Sequence, residues 1–390
     1  GGKGILPVNQ SKNKNPLFSA FINASVEAGY KKNNDMNGED QEGFGMYDIT
    51  IHKGQRASAS KYYLEPAKKR KNLKVFTNSF AERIIFEGKK AVGIEVNIKN
   101  KVTKVYANKE VVLSGGSINS PQLLMLSGVG PEKDLKDKGI NVIHSLEGVG
   151  QNLQDHLETY IQQECKTKDT LYSYVNKINM LKIGIQWFLS KSGPCSTSFL
   201  EAGGFCKSSE DKSYPNIQFH FFPAFVIDHG LVDPDRHGYQ LHASLNQPKS
   251  RGHIKLNSSN PYDYPKIQFN YLEDEYDLKE TIKCVRVARK ILSQDSMKPY
   301  AGKEIGPGES ATNDEQITEY IRSKAETAYH PSCTLKMGVD KMAVVDEKLK
   351  VHGLENLRVA DASVMPEITS GNLNAPTLMI GERAADFILN

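Results

Sequence analysis

Between residues 215 and 272 the chain carries four strand-sized runs in which apolar and polar side chains take turns: "PNIQFHFFPAFVI", "YQLHASLN", "HIKLNS" and "KIQFNYL". A period of two puts alternate side chains on opposite faces, one for a core and one for a polar environment. Runs of this kind suit a mixed, largely antiparallel sheet. Helical segments bracket the block: "KTKDTLYSYVNKINMLKIGIQWFLSKSG" before it, "EYDLKETIKCVRVARKILSQ" and "TNDEQITEYIRSKAETA" after it. The last of these has an acidic first turn, as the helix dipole favours. A mostly antiparallel sheet with flanking helices is therefore expected over residues 166–325.

The flanking stretches read differently. Leu17, Phe18, Phe21, Ile22 and Ala24 recur at near-helical spacing, and Gly29 closes that helix. "GQRASASKYYLEPAKKR" reads as a helix ending near Pro66. "LKVFTNSFAERIIFEG", "AVGIEVNI", "KVYA" and "KEVVLSGG" read as strands. "SPQLLMLSGVG" predicts a helix capped by Ser120 with Pro121 at its first position. "NAPTLMIGERAADFIL" predicts a last helix capped by Asn374 and begun by Pro376 and Thr377. The expected fold class is mixed α/β (α+β), in three segments: 1–165, 166–325 and 326–390.

Charge and cysteine usage exclude several functions. The formal net charge is +4 over 390 residues, with lysines scattered among acids and no aromatic-interleaved basic stripe. No nucleic-acid partner is expected. The five cysteines are widely spaced, without a C-x-x-C pair, so neither a disulfide framework nor a metal site is indicated and a reducing compartment fits. No run approaches the ~20 apolar residues of a membrane span. The opening "GGKGILPVNQ" shows no methionine, signal peptide or transit signature.

Familiar motifs fail on inspection. "GVGPEK" and "GVGQNL" lack the third glycine of a dinucleotide fingerprint, and Asn119 stands where a nucleophile elbow needs glycine in "SGGSINS". H-E-x-x-H does not occur. Two stretches carry chemistry. In "KEVVLSGGSINSPQLL" a strand runs through Gly115 and Gly116 into a helix whose free N–H groups suit an anionic group. In "AETAYHPSCTLKMG" Pro331 stiffens the chain and holds His330 extended, a useful setting for a side chain that must point at something. The start of the last helix would also stabilise negative charge in front of it.

Taken together, "NGEDQEGFG", "GQRASASKYYL", "NLKVFTNSFAERIIFEGKKAVGIE", "ANKEVVLSGGSINSPQLLMLSGVGP", "LEGVGQNLQDHLE", "FLEAGGF", "PNIQFHFFP", "SRGHIKL", "AETAYHPSCTLKMG" and "VVDEKLKVHGLENLRVADASVMPEITSGNLNAPTLMIGERAAD" run in one order across nearly the whole chain. In this the sequence resembles the glucose–methanol–choline (GMC) family of FAD-dependent alcohol oxidoreductases, and within it the choline-oxidising branch. The resemblance implies an FAD cofactor and a choline-like primary alcohol taken to its aldehyde, betaine aldehyde for choline. It also implies a quinone-type membrane electron acceptor and a peripheral membrane or cytoplasmic location.

The same resemblance implies roles residue by residue. His330 matches the base at the flavin's reactive edge, and Asn374 the partner of the substrate oxygen. Asp361 and Ala362 in "RVADASVMP", Ala81 in "SFAERI", and Asn374 with Ala375 match cofactor neighbours. Glu201 in "FLEAGGF" matches a carboxylate facing the quaternary ammonium, which offers no N–H donors and can be held only by charge or an aromatic face. Trp187, Phe199 and Phe205 serve as pocket walls or as core, and Gln247 stands where some relatives carry a pocket histidine. His220, His242 and His253 fall in predicted strands, with structural or surface roles. Many relatives have glycine where Cys333 stands.

Family members begin with a strand–G-x-G-x-x-G–helix unit that holds the FAD pyrophosphate, and no such unit occurs in these residues. The expectation is an incomplete Rossmann-like FAD domain plus a substrate domain, the C-terminal portion of an enzyme that does not retain FAD alone. Two alternatives stay open: a different primary alcohol as substrate, or a truncated non-catalytic homologue acting as a binding module.

Overall fold

The computed structural model describes residues 4–11, 13–227, 230–232 and 234–390; Gly1–Lys3 of the opening run lie outside them. The elements used below are, in chain order, α1 (Pro16–Glu27), β1 (Gly43–Met46), β2 (Ser79–Glu87), β3 (Lys90–Ile98), β4 (Lys101–Tyr106), β5 (Val111–Leu113), α2 (Gly116–Leu126), β6 (Leu157–Cys165), α3 (Lys177–Ser190), β7 (Ala202–Cys206), β8 (Ile217–Phe222), β9 (Gly238–Leu245), β10 (His253–Lys255), β11 (Lys266–Gln268), α4 (Glu275–Leu292), β12 (Ala301–Gly306), α5 (Asp314–Lys324), β13 (Leu357–Val359) and α6 (Asn374–Leu389). Contacts divide the chain into two interleaved units. One comprises residues 1–73, 157–246 and 278–326; the other comprises 74–156, 247–277 and 327–390. Residues 1–73 group with the large sheet, and 247–277 group with 74–156 and 327–390.

The first unit is built on a seven-stranded sheet whose main path runs β12–β6–β9–β8–β7–β1, every neighbour antiparallel. Alternation sorts its two faces. Phe219, Phe221, Tyr239, Leu241 and Ala243 are fully buried. Phe18 and Phe21 of α1 pack on them, with the Phe21 and Phe221 rings stacked at 4.9 Å. The other face carries polar rows fixed by register: His220 opposite His242 opposite Tyr160, and Gln218 opposite Ser244 opposite Glu158. α1 starts with the Asn15 side chain accepting from the Leu17 N–H and Pro16 leading. α5 opens with a full capping box between Asn313 and Gln316.

The second unit gathers smaller pieces: the antiparallel sheet β2–β3–β4, the parallel pair β5–β13, the hairpin β10–β11 and helices α2 and α6. Its core runs from Ile84 and Leu113 through Leu124, Leu153 and Ile254 to Val344, Val359 and Ile380. The four alternating runs of 215–272 thus divide, two entering the large sheet and two forming a separate hairpin. Periodicity sets which side chains share a face; it does not say which strand is the partner.

α2 corrects an expectation. It begins at Gly116, so Ser120 is no cap and Pro121 lies inside the helix. A helical proline leaves the carbonyl four residues earlier without its donor. That carbonyl is Ser117's, and the Thr334 hydroxyl donates to it at 2.7 Å. The tertiary structure repairs the break that the proline makes, which a local reading could not foresee.

Candidate active site

His330 is held from both sides. Residues 154–156 run antiparallel to 328–332: the Gln154 and Ser332 backbones exchange hydrogen bonds, and the Ala328 N–H donates to the His156 carbonyl at 2.9 Å. The His156 carbonyl is taken by Ala328, and the His330 N–H donates to Asp155 Oδ1 at 2.7 Å. Asp155 is buried, and its other oxygen accepts from the Tyr271 and Thr327 hydroxyls. Burial pushes the Asp155 carboxyl above the ordinary carboxylate range, partly offset by those hydroxyls, the His330 N–H and the nearby His330 ring. Burial and the Asp155 charge likewise push the Tyr271 phenol up.

The His330 ring bridges two side chains. Its Nδ1 lies 3.0 Å from Nδ1 of the buried His156, and its Nε2 lies 3.3 Å from the Asn372 amide nitrogen. With the amide donating, Nε2 accepts, and the ring proton sits on Nδ1 toward His156. Nε2 is then the basic atom. Tyr329 and Cys333, on either side of the His330–Pro331 step, take φ of 61° and 74°. These left-handed conformations cost a side chain roughly 1–2 kcal/mol relative to glycine. Cys333 therefore occupies a backbone position that favours glycine.

Near α2 a second arrangement forms. Asp361, buried after β13, accepts from the Gly116 N–H at 2.9 Å, the Ser120 hydroxyl at 2.6 Å and the Ser363 N–H at 2.8 Å. It ties the glycine turn to the Ala362–Val364 turn, whose carbonyls accept from the Cys333, Leu335 and Met337 N–H groups. Asp361 thus braces the loop, and half-buried Ala362 carries a backbone contact to the His330 segment. Gly116 has φ of 80° and open space where a Cβ would stand. The Ser117 hydroxyl is buried without a protein partner among the described residues. An orphaned donor beside an open glycine at a helix start is a receptive place for an anionic or carbonyl group.

The start of α6 departs from the sequence reading. Asn374 is its first helical residue and exposed, and Leu373 stands at the cap with its carbonyl accepting from the Thr377 N–H and hydroxyl. Asn374 therefore does not cap the helix. Asn372, two residues earlier, is the asparagine against His330. Exposed Ala375 follows in the first turn, whose leading N–H groups have no partner within the helix. Ala81 lies half-buried in β2 opposite Val96, next to a register shift. Gln247 lies half-buried before the turn in which the Lys249 and Ser250 N–H groups donate to Asp277.

In the first unit, Glu201 is almost fully buried beside a cavity of about 570 Å³, whose lining includes Asn13, Thr170, Tyr174, Thr197 and Phe199. Asn13 donates to its carboxylate at 2.7 Å, and Ser11 and Thr197 hydroxyls also donate. Phe205 is buried in β7 against Tyr47, a core role. Trp187 sits on α3, donating to the Gly54 carbonyl at 2.8 Å with the Lys191 ammonium over its ring at 3.7 Å. On the polar face of the large sheet, Glu158 accepts from His242 at 2.9 Å with His220 at 3.7 Å. His253 lies in the β10 edge hairpin.

Asp155, His156 and Asn372 were missed as site residues. The signal was present in "NLQDHLE" and "SGNLNAPT", but two adjacent polar residues before a strand, and two asparagines two apart, do not say which side chain turns inward. Among the described residues no group of three or more His, Cys, Asp or Glu could hold a metal, and the cysteines form no disulfide. No described helix is long and apolar enough to cross a membrane.

Comparison with known proteins places these features. The GMC oxidoreductase family matches the chain over residues 3–158 and again over 248–381. The mitochondrial choline dehydrogenase of Homo sapiens is 50% identical over 390 residues, which is 100% of this chain and 66% of that protein. The oxygen-dependent choline dehydrogenase of Staphylococcus xylosus is 47% identical over 391 residues, 70% of its length. The chain thus spans just under two thirds of its human and mouse relatives. Among solved structures, formate oxidase superposes with a TM-score of 0.92 at 26% identity, over 100% of this chain and 73% of that one. Pyridoxine 4-oxidase from Mesorbium loti superposes at 0.87 with 26% identity, over 98% and 72%.

Proposed function

The chain belongs to the GMC oxidoreductase family, and from that premise we propose that it carries the catalytic part of an FAD-dependent dehydrogenase oxidising choline to betaine aldehyde. One observation carries the reading: the imidazole of His330 presents a basic Nε2 beside the Asn372 amide, backed by His156 and braced by Asp155. Alcohol oxidation removes two hydrogens in different forms, a proton from oxygen and a hydride from carbon.

His330 Nε2 takes the hydroxyl proton. As it becomes an imidazolium, its Nδ1–H keeps a lone pair of His156 to donate to, and Asp155 lies near enough to favour the charge. Asn372 donates to the substrate oxygen that His330 leaves partly negative. FAD, when bound, would supply the hydride acceptor. The residues fit it: open Gly116, the orphaned Ser117 hydroxyl, the Ala362 backbone and the first-turn N–H groups of Asn374 and Ala375 suit its carbonyl and ribityl oxygens. Ala81 is a further backbone neighbour. Glu201, held in place by its three donors beside the cavity, supplies the negative charge for the trimethylammonium group, and the family resemblance also assigns substrate roles to Trp187 and to Gln247. Residues 166–325 act as the substrate part, and 1–165 with 326–390 as the flavin part. Electrons leave to a quinone-type acceptor at a membrane surface.

The test is anaerobic turnover of the FAD-loaded protein with choline and with uncharged primary alcohols, scoring betaine aldehyde and reduction of a soluble quinone. Choline turnover at the higher kcat/KM supports the reading. Turnover of another alcohol with choline inert overturns the substrate, and failure with every alcohol overturns the enzyme.

A further inference from the structure

α3 turns its more apolar side away from the protein. Asn179, Ile183 and Trp187, four residues apart in sequence, are its half-buried inner side, anchored by the Trp187 indole on Gly54 and by the Asn179 amide on Ser173. Outward stand Ile178, Leu181, Ile185, Phe188 and Leu189, exposed by 68, 65, 51, 73 and 78%. At about 100° per residue these five fill an arc roughly 100° wide, centred nearly opposite the inner side. A helix that only had to pack on its own domain would place this stripe inward. Lys177 and Lys182 are exposed and border the arc at its two edges, and no acid occurs from Lys177 to Lys191.

We infer that this face of α3 lies in the interface of an anionic lipid bilayer. The stripe holds aliphatic and aromatic carbon and no hydrogen-bonding group, so it offers nothing to specify a protein partner by polar pairing. The two lysines provide the opposite charge to an anionic headgroup layer. Their stems can lie along the apolar edge with the ammonium groups raised among the headgroups. A helix of 14 residues is suited to lying along such a surface. This inference deepens the membrane-acceptor reading and rests on it only for its use, because lipid binding needs no turnover.

The experiment floats the FAD-loaded protein with phosphatidylcholine vesicles, with and without about 30% phosphatidylglycerol. Wild type is expected to float with the anionic vesicles, less so at high salt. The triple variant L181Q/I185Q/F188Q should lose more than about tenfold in bound fraction. K177E/K182E should lose the preference for anionic lipid. V339Q, at another highly exposed apolar residue, should bind as wild type. Equal flotation of wild type and triple variant overturns the inference, as does absence of wild-type flotation. A triple variant that changes sedimentation without changing vesicle binding assigns the face to self-association and overturns it too. Choline turnover with a soluble acceptor is read in parallel, so loss of oxidation and loss of lipid binding remain separate results.

Discussion

The Nδ1 atoms of His156 and His330 lie 3.0 Å apart, with the two rings at 87° to each other. One of the two must donate and the other accept. Because the Asn372 amide faces His330 Nε2, the donor is His330, and its second nitrogen is left unprotonated toward Asn372. A buried histidine thereby sets the tautomer of an accessible one, as carboxylates and carbonyls do at other histidine sites.

His330→Ala should slow reduction of bound flavin by choline about 10²–10⁴-fold, the usual contribution of a general base. His156→Phe should retain flavin yet slow the same step and move the pH profile of kcat/KM, since the basic nitrogen is no longer fixed. His156→Gln, which can still accept from Nδ1–H, should recover part of the loss. Anaerobic stopped-flow absorbance measures all three; an unshifted profile in His156→Phe would reduce His156 to a packing residue.

The two asparagines separate cleanly. Asn372→Ala should cut the reduction rate by more than about tenfold, because a hydrogen bond that strengthens on a developing alkoxide is lost. Asn374→Ala should chiefly loosen FAD, read as flavin lost on gel filtration. If Asn374→Ala slows reduction and Asn372→Ala does not, the substrate oxygen belongs to Asn374.

Much of this was legible in the sequence. Strand alternation divided Phe219 and Phe221 from Gln218 and His220 correctly, and the His-Pro step marked His330. The rest depended on contacts between distant stretches. Nothing local to Pro121 says that Thr334 takes the carbonyl it releases. Nothing local to Asn374 says that the helix starts there and leaves Asn372 to face the histidine. Nothing local to Cys333 says that it takes a left-handed φ of 74°, a position that favours glycine.

The Thr334–Ser117 contact can be weighed directly. Thr334→Val keeps the shape and strands a buried carbonyl, costing about 1–3 kcal/mol, seen as a lower Tm. Pro121→Ala returns an N–H to that carbonyl, so Thr334→Val should cost much less in the Pro121→Ala background. Additive losses would show that the hydroxyl does not serve the proline's gap.

Glu201 is tested by charge rather than shape. Glu201→Gln keeps an acceptor oxygen for Asn13 and Thr197, presents an NH2 donor to the Ser11 hydroxyl, which can accept, and removes the negative charge. Choline should bind much more weakly, with KM up by about tenfold or more, while 3,3-dimethylbutanol, its uncharged isostere, should be little affected. Equal losses on the two substrates would make Glu201 a brace for the residues around it.

Asp155 gives a pH dependence whose sign follows from its burial. Its folded-state pKa is raised above the unfolded value, chiefly by desolvation. The folded protein therefore holds this proton more tightly than the unfolded chain. The stabilisation is complete below the unfolded value of about 3.9 and is lost as pH rises through the folded one. Asp155→Asn cannot titrate and removes this slope, whatever constant cost its altered hydrogen bonds to Tyr271, Thr327 and the His330 N–H impose. The difference in Tm, variant minus wild type, should thus increase as pH rises from about 4 to about 7. A difference that stays flat or falls over that range would mean that the hydroxyls and the nearby imidazole outweigh the burial of the carboxylate.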